Sequence, residues 1–281
     1  MFMKNFQPGV LAAGLIGIAG VLPVSAALPT LDEKDWLGYF TGMKTKSFQF
    51  GVTAEGKGII RVFSDKGDVL SQKLSIPVEF KIEETMPDGK TISRTIKPDT
   101  LESAQAATNQ PKNVVFKGQV TGGLGFEVFV NEEQGAVSLG GRLLEPAALK
   151  NPTRFFIAAK IPNAYPDMEP GGDKKAAKAF EEKTKGDRVQ LNWTDGKRTK
   201  FSASEPVEAG SKEVSGPGVA GVLIDFSSYK GKKIQLTASP NSSMALTNAS
   251  KQPLAEGFSI IWTVDSAKDP DAKARLLIGI K

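Results

Sequence analysis

From Ser47 to the carboxyl end, apolar and polar side chains exchange places at every second residue, and the runs are broken by glycine, proline, aspartate and asparagine. Successive side chains of an extended strand point to opposite faces, so this pattern predicts half-buried antiparallel strands. Phe48, Phe50 and Val52 point one way, as do Val78, Phe80 and Ile82, and again Phe258, Ile260, Trp262 and Val264, which makes Trp262 a core residue. Strands are expected at 59–63, 76–84, 91–96, 113–120, 125–130, 136–139, 154–161, 187–193, 198–203, 219–226, 233–238, 243–247, 258–264 and 274–280. Within 154–161, the side carrying Phe155, Ile157 and Ala159 is expected to be more buried than the side carrying Phe156, Ala158 and Lys160. Residues 100–108, bracketed by Pro98 and Pro111, read as a loop.

One helix interrupts the pattern. Asp173 is a suitable amino-terminal cap for residues 174–185, Ala176, Ala177, Phe180 and Thr184 share a side at helical spacing, and Gly186 can end it. Its narrow apolar stripe suits a helix laid on a sheet edge or over one end of a sandwich.

The fold class is therefore all-β. The arrangement expected is two antiparallel sandwich-like units, residues 27–150 and 151–281, with the one short helix; a single large sandwich or a closed barrel is the alternative. Asp88-Gly89-Lys90 and Asp195-Gly196-Lys197 stand 107 residues apart, an offset that also pairs Phe48 with Phe155, Val115 with Val222 and Leu139 with Leu246. Internal duplication is one reading of this, and reuse of the same turn chemistry at similar intervals is the other.

Residues 1–26 resemble an export signal. Lys4 precedes an apolar stretch from Val10 to Val24, and Val24-Ser25-Ala26 has the small residues that signal peptidase needs, so the mature chain is expected to begin at Ala27 in a periplasm or outside the cell. Gly9, Gly14, Gly17, Gly20 and Pro23 dilute the stretch as a membrane span, and no later segment approaches spanning length. The chain contains no cysteine, so the core must hold without disulfides, and it contains no histidine. Thiolate and imidazole chemistry and the usual soft metal ligands are thereby excluded. Without Lys4 the basic residues number 35 against 31 acidic ones, a net of +4. They are interleaved, as in Lys178-Ala179-Phe180-Glu181-Glu182-Lys183, which speaks against nucleic-acid binding. Lys230-Gly231-Lys232-Lys233 reads as a solvated turn.

The short motifs fail their context. Gly216-Pro217-Gly218-Val219-Ala220-Gly221 has dinucleotide-loop spacing but leads into a strand where a helix is needed. Ser227-Ser228-Tyr229-Lys230 has the serine-to-lysine spacing of penicillin-recognising enzymes without their companion elements, and a turn explains it better. Glu79, Glu83, Glu84 and Glu127 could serve a paired-carboxylate hydrolase, but Glu79 and Glu83 alternate with apolar residues and should face solvent. Asp265, Asp269 and Asp271, and Asp167, Glu169 and Asp173, read as polar loops, with calcium as the minor alternative. Asn192, Asn241 and Asn248 begin glycan acceptor triplets that matter only in a source that glycosylates exported chains. No catalytic residue, cofactor or metal is assigned. Trp36 and Tyr39 are the candidate ligand-binding residues, because flat rings with polar edges suit sugar stacking or a protein interface; packing onto the sandwich is the rival role. The expected function is a non-enzymatic binding or structural protein of the envelope or extracellular space, with a glycan or an envelope protein as partner. A carbohydrate-active enzyme using paired acids and a carrier of apolar ligands are the alternatives.

Overall fold

The computed structural model describes residues 27–145, 149–165, 173–204, 215–216, 218–248, 257–264, 269 and 271–281. The export signal expected at 1–26, the loop residues Asp167 and Glu169, Pro217 and Asp265 lie outside the described residues. In chain order the elements are β1 (Tyr39–Lys44), β2 (Phe48–Thr53), β3 (Gly58–Val62), β4 (Ile76–Thr85), β5 (Thr91–Arg94), β6 (Ile96–Glu102), β7 (Val114–Val120), β8 (Gly125–Glu133), β9 (Ala136–Leu143), β10 (Thr153–Ile161), α1 (Lys174–Thr184), β11 (Arg188–Trp193), β12 (Arg198–Ser202), β13 (Ser215–Gly216), β14 (Val219–Asp225), β15 (Ile234–Ala238), β16 (Ser242–Thr247), β17 (Phe258–Val264) and β18 (Leu276–Ile280).

The strands form two antiparallel sheets, neither closed into a barrel. The first has the order β1-β2-β3-β4-β10-β17-β16-β13, with β5 paired to β4, and the second the order β12-β11-β14-β15-β18-β9-β8-β7-β6. The two sheets enclose one apolar cluster, and the arrangement fits two sandwich-like units. Both sheets run on between the units. Strand β10 pairs with β4 from Thr153 opposite Glu84 to Ala159 opposite Val78, and β18 pairs with β9 from Leu276 opposite Leu139 to Ile278 opposite Val137.

Alternation is obeyed along most strands. Phe258, Ile260, Trp262 and Val264 are buried, and Phe155, Ile157 and Ala159 face the core as expected. Where β9 and β10 face each other, a side chain on Gly141 would come within 2.3 Å of the Phe155 ring, so the phenyl group occupies the space that glycine leaves. Each large apolar side chain buried in this way contributes about 1.5–3 kcal/mol, and together they hold the sandwich without a disulfide.

Three strands depart from the sequence-based expectation, the two-residue β13 and two longer ones. Strand β1 was not anticipated: Tyr39, Phe40, Thr41, Gly42 and Met43 are all buried, because other parts of the chain cover its outer face, and a strand buried on both sides has no alternation to read. Strand β6 occupies part of the supposed loop at 100–108. It is the last strand of its sheet, and Pro98 is tolerated there because an edge strand has one side without ladder bonds.

Helix α1 begins where Asp173 accepts a hydrogen bond from the Ala176 amide at 2.7 Å. It buries Phe180 and Thr184, and Phe180 meets Tyr165 edge-on at 6.0 Å. It lies in the connection from β10 of one sheet to β11 of the other and packs beside the 3-10 turn Ser227–Tyr229.

The Asp-Gly turns share one geometry, and so do three others. In Thr53–Lys57, Ser64–Asp68, Met86–Lys90, Val120–Leu124 and Trp193–Lys197, the first amide bonds the fifth carbonyl and the fourth amide bonds the first carbonyl, at 2.8–3.0 Å. The fourth residue is always a glycine with φ between 73° and 87°, the left-handed position of a type I turn closed by a bulge. The turn after β4 lies in the first sheet and the turn after β11 in the second, so the 107-residue offset matches turn chemistry without matching sheet position. No helix among the described residues is long and apolar enough to cross a membrane.

Candidate ligand groove

On the outer face of the first sheet, Gly42 of β1 lies opposite Gly51 of β2, and Gly51 lies opposite Ile59 of β3. Aromatic rings fill this glycine bed. A side chain on Gly42 would come within 2.3 Å of the Trp36 ring, and one on Gly51 within 2.4 Å of the Tyr39 ring. The two rings meet edge-on at 6.2 Å. Gln49 donates from Nε2 to the Asp35 carbonyl at 2.9 Å and so ties the turn bearing Trp36 to the sheet. Trp36 is 5% exposed and Tyr39 8%, so both candidate residues are mainly packed against the sheet. Trp36 does not line the groove described next, whereas Tyr39 forms part of its wall.

Arg61 continues this layer on β3. Its guanidinium lies over the Tyr39 ring, 5.7 Å from the centroid. Its Nε is buried without a hydrogen-bond partner, and no carboxylate pairs with it among the described residues. Two other cations nearby are paired: Lys81 with Glu79 at 2.6 Å, and Arg94 with Glu84.

Beyond Gly58, where β3 begins, the sheet opens. Strand β3 pairs with β4 only at Ile76 to Val78, and β5 only at Ile82 to Thr85. Between them, Glu79 to Lys81 have β10 on one side and no strand on the other. A groove of about 650 Å3 occupies this notch. Ile59, Arg61 and Tyr39 stand on one side, Pro77 to Lys81 run along it, and Ser93 to Pro98 close the other side as the chain crosses to the second sheet.

The groove's two carboxylates do not resemble an acid-base pair. Glu55 is held below the usual carboxylate range, first by a hydrogen bond from Thr53, whereas a general acid requires the opposite shift. Glu79 is exposed and paired with Lys81. Among the described residues, the other acids considered from sequence are held by cations or by backbone amides. Glu83 pairs with Arg154 at 2.7 Å, and Glu127 lies between Lys117 at 3.3 Å and Arg142 at 2.7 Å on the second sheet. Asp269 accepts the Lys273 and Ala274 amides at 2.8 Å each, and Asp271 pairs with Lys273 at 2.8 Å. Among the described residues no group of three or more such side chains could hold a metal ion.

Ser227-Ser228-Tyr229 forms the expected turn, ending at Lys230 in the left-handed conformation with φ 51°. Its hydroxyls join a buried network. Ser227 donates from both its amide and Oγ to Asp187, Asn163 donates to Asp187 at 2.8 Å, and Ser228 donates to Asn163 at 2.8 Å. Tyr229 donates to the Pro162 carbonyl at 2.9 Å, and burial pushes its phenol well above the usual tyrosine range. In the neighbouring basic run, Lys232 pairs with Asp65 at 2.5 Å and Lys233 with Asp225 at 3.1 Å. Strand β14 follows Gly218, as the strand reading of the glycine-rich segment requires.

Arg61 is the residue that sequence reasoning passed over. It looks like any outward-facing position of a strand, and its one local sign is a cross-strand neighbour, Gln49, that cannot neutralise it. The space between the sheets is filled by one apolar cluster running through both units, so the groove belongs to the outside of the sandwich. Comparison with protein-family models and with curated proteins finds no match, and the functional reading therefore rests on the chain's own residues.

Proposed function

We propose that this chain is an exported, non-enzymatic binding module of the cell envelope or extracellular space, and that it binds its partner in the groove beside Arg61. The carrying observation is Arg61 itself: a guanidinium held on an aromatic ring, with a buried Nε that no acceptor among the described residues satisfies, at the wall of a groove of about 650 Å3. An unsatisfied buried donor is unfavourable by about 1–3 kcal/mol, and a ligand carboxylate would relieve it through a charge-assisted bond. Export is supported by the amino-terminal pattern ending at Ala26.

The test uses residues 27–281 and the same chain carrying Arg61→Gln, on a glycan array and in pull-downs from envelope extracts. At least one ligand should be retained by the native chain and bound roughly tenfold more weakly by the variant. Lack of any partner in both formats would contradict the reading. Fusion of residues 1–26 to a reporter active only outside the cytoplasm tests export, and an inactive reporter would contradict it.

A further inference from the structure

Resting on that groove as the binding site, we infer that its ligand is a short, extended acidic peptide segment of another protein, laid along the open edge of β4. Backbone amides and carbonyls of an antiparallel strand point alternately to its two neighbours. Of the three residues from Glu79 to Lys81, at least one must present its N–H and C=O to the groove, because β10 can pair with only one side. A peptide backbone satisfies both groups at once, which is how strand addition recognises a chain irrespective of much of its sequence.

The side chains fit the same ligand. Ile59, Pro77, Ile96 and Pro98 give apolar contacts for alternate residues of an extended segment, and Arg61 gives a cation that no carboxylate among the described residues pairs with. The notch is bounded by Gly58, where β3 begins, and Arg94, where β5 ends. Three strand residues span roughly 10 Å, so the extended contact is short. A sugar is less well served. The Tyr39 ring rests against Gly51 and carries the Arg61 guanidinium, and Trp36 is 5% exposed, so neither ring offers a free face for stacking.

The experiment screens a fluorescent library of random hexapeptides, with free or amidated carboxyl ends, against residues 27–281 and the variants Arg61→Gln and Ile59→Glu. Oligogalacturonate is included as an acidic sugar probe. Selected peptides should combine a carboxylate with Val, Ile or Leu at alternate positions. Each variant should weaken them tenfold or more while keeping the native urea unfolding midpoint. Loss of binding on amidation would place the carboxylate at the peptide end, and retention would place it on Asp or Glu; both outcomes support the inference. Oligogalacturonate binding that depends on Arg61, with no peptide selected, would overturn the peptide inference and leave the groove as the binding site. Peptides insensitive to Arg61→Gln would overturn the inference, and absence of Arg61-dependent binding by either probe would overturn the function as well.

Discussion

The guanidinium of Arg61 lies 5.7 Å from the centre of the Tyr39 ring, and that ring rests against the bare backbone of Gly51. Three neighbouring strands thus support one charge. Stacking of this kind is worth about 0.5–1 kcal/mol at an exposed site and more when desolvated. Its larger consequence is that a flexible side chain is held ready before any ligand arrives, which lowers the ordering term of binding.

Gly51→Ala tests that support. The new methyl group would meet the Tyr39 ring at 2.4 Å, so the ring must move and Arg61 loses its base. Stability should fall by about 1–3 kcal/mol in urea denaturation, as for other overpacked sites. Binding should weaken beyond what the small unfolded fraction explains.

Between the sheets, Gly141→Ala should be more damaging than a surface change, because the added carbon would lie 2.3 Å from the Phe155 ring and 2.9 Å from the Glu127 carbonyl. A loss of about 3 kcal/mol is expected. Phe155→Leu in the same chain should recover part of it, since the two residues share one space, and a double-mutant cycle measures the coupling. Strict additivity would contradict the packing described.

The network around Asp187 gives a third expectation. This carboxylate is 1% exposed and accepts from Asn163 and from both donors of Ser227. Asp187→Ala strands those donors and should lower stability by about 3 kcal/mol, whereas Ser227→Ala, which leaves the amide bond in place, should lower it by about 1 kcal/mol. Equal effects in chemical denaturation would contradict this assignment of roles.

Acid should weaken the junction between the units. Hydrogen bonds from Asn151 and Arg94 hold Glu84 below the ordinary glutamate value of 4.5. A carboxyl with a lowered folded-state pKa stabilises fully above its unfolded value, and that contribution disappears as pH falls through the folded value. Stability measured by urea at successive pH values should therefore decline below about pH 4.5, and Glu84→Gln should flatten the decline.

Strands with one wet face were legible in the sequence. Phe258 to Val264 shows four inward side chains alternating with half-buried neighbours, and β17 has the expected bounds. Strand β1 was illegible because the Trp36 ring covers Gly42 on its outer face, so both faces are apolar or small. Strand β6 was hidden by Pro98, whose tolerance depends on being at a sheet edge, a property of the assembled sheet. The site divides similarly. Tyr39 drew attention as an aromatic near the mature terminus, but Arg61 matters because of what is missing around it, and a missing partner appears only when distant strands are brought together.

The most direct measurement is an NMR titration of the arginine Nε–H signals of residues 27–281 with N-acetyl-valyl-aspartate, using Arg61→Gln to assign the Arg61 signal. The account predicts a saturable shift at Arg61 as its unsatisfied donor gains an acceptor, with the other arginines changing little and with no response to N-acetyl-valyl-asparagine amide, which has no carboxylate. An Arg61 signal that stays unmoved, or that moves no more than those of the other arginines, would contradict it.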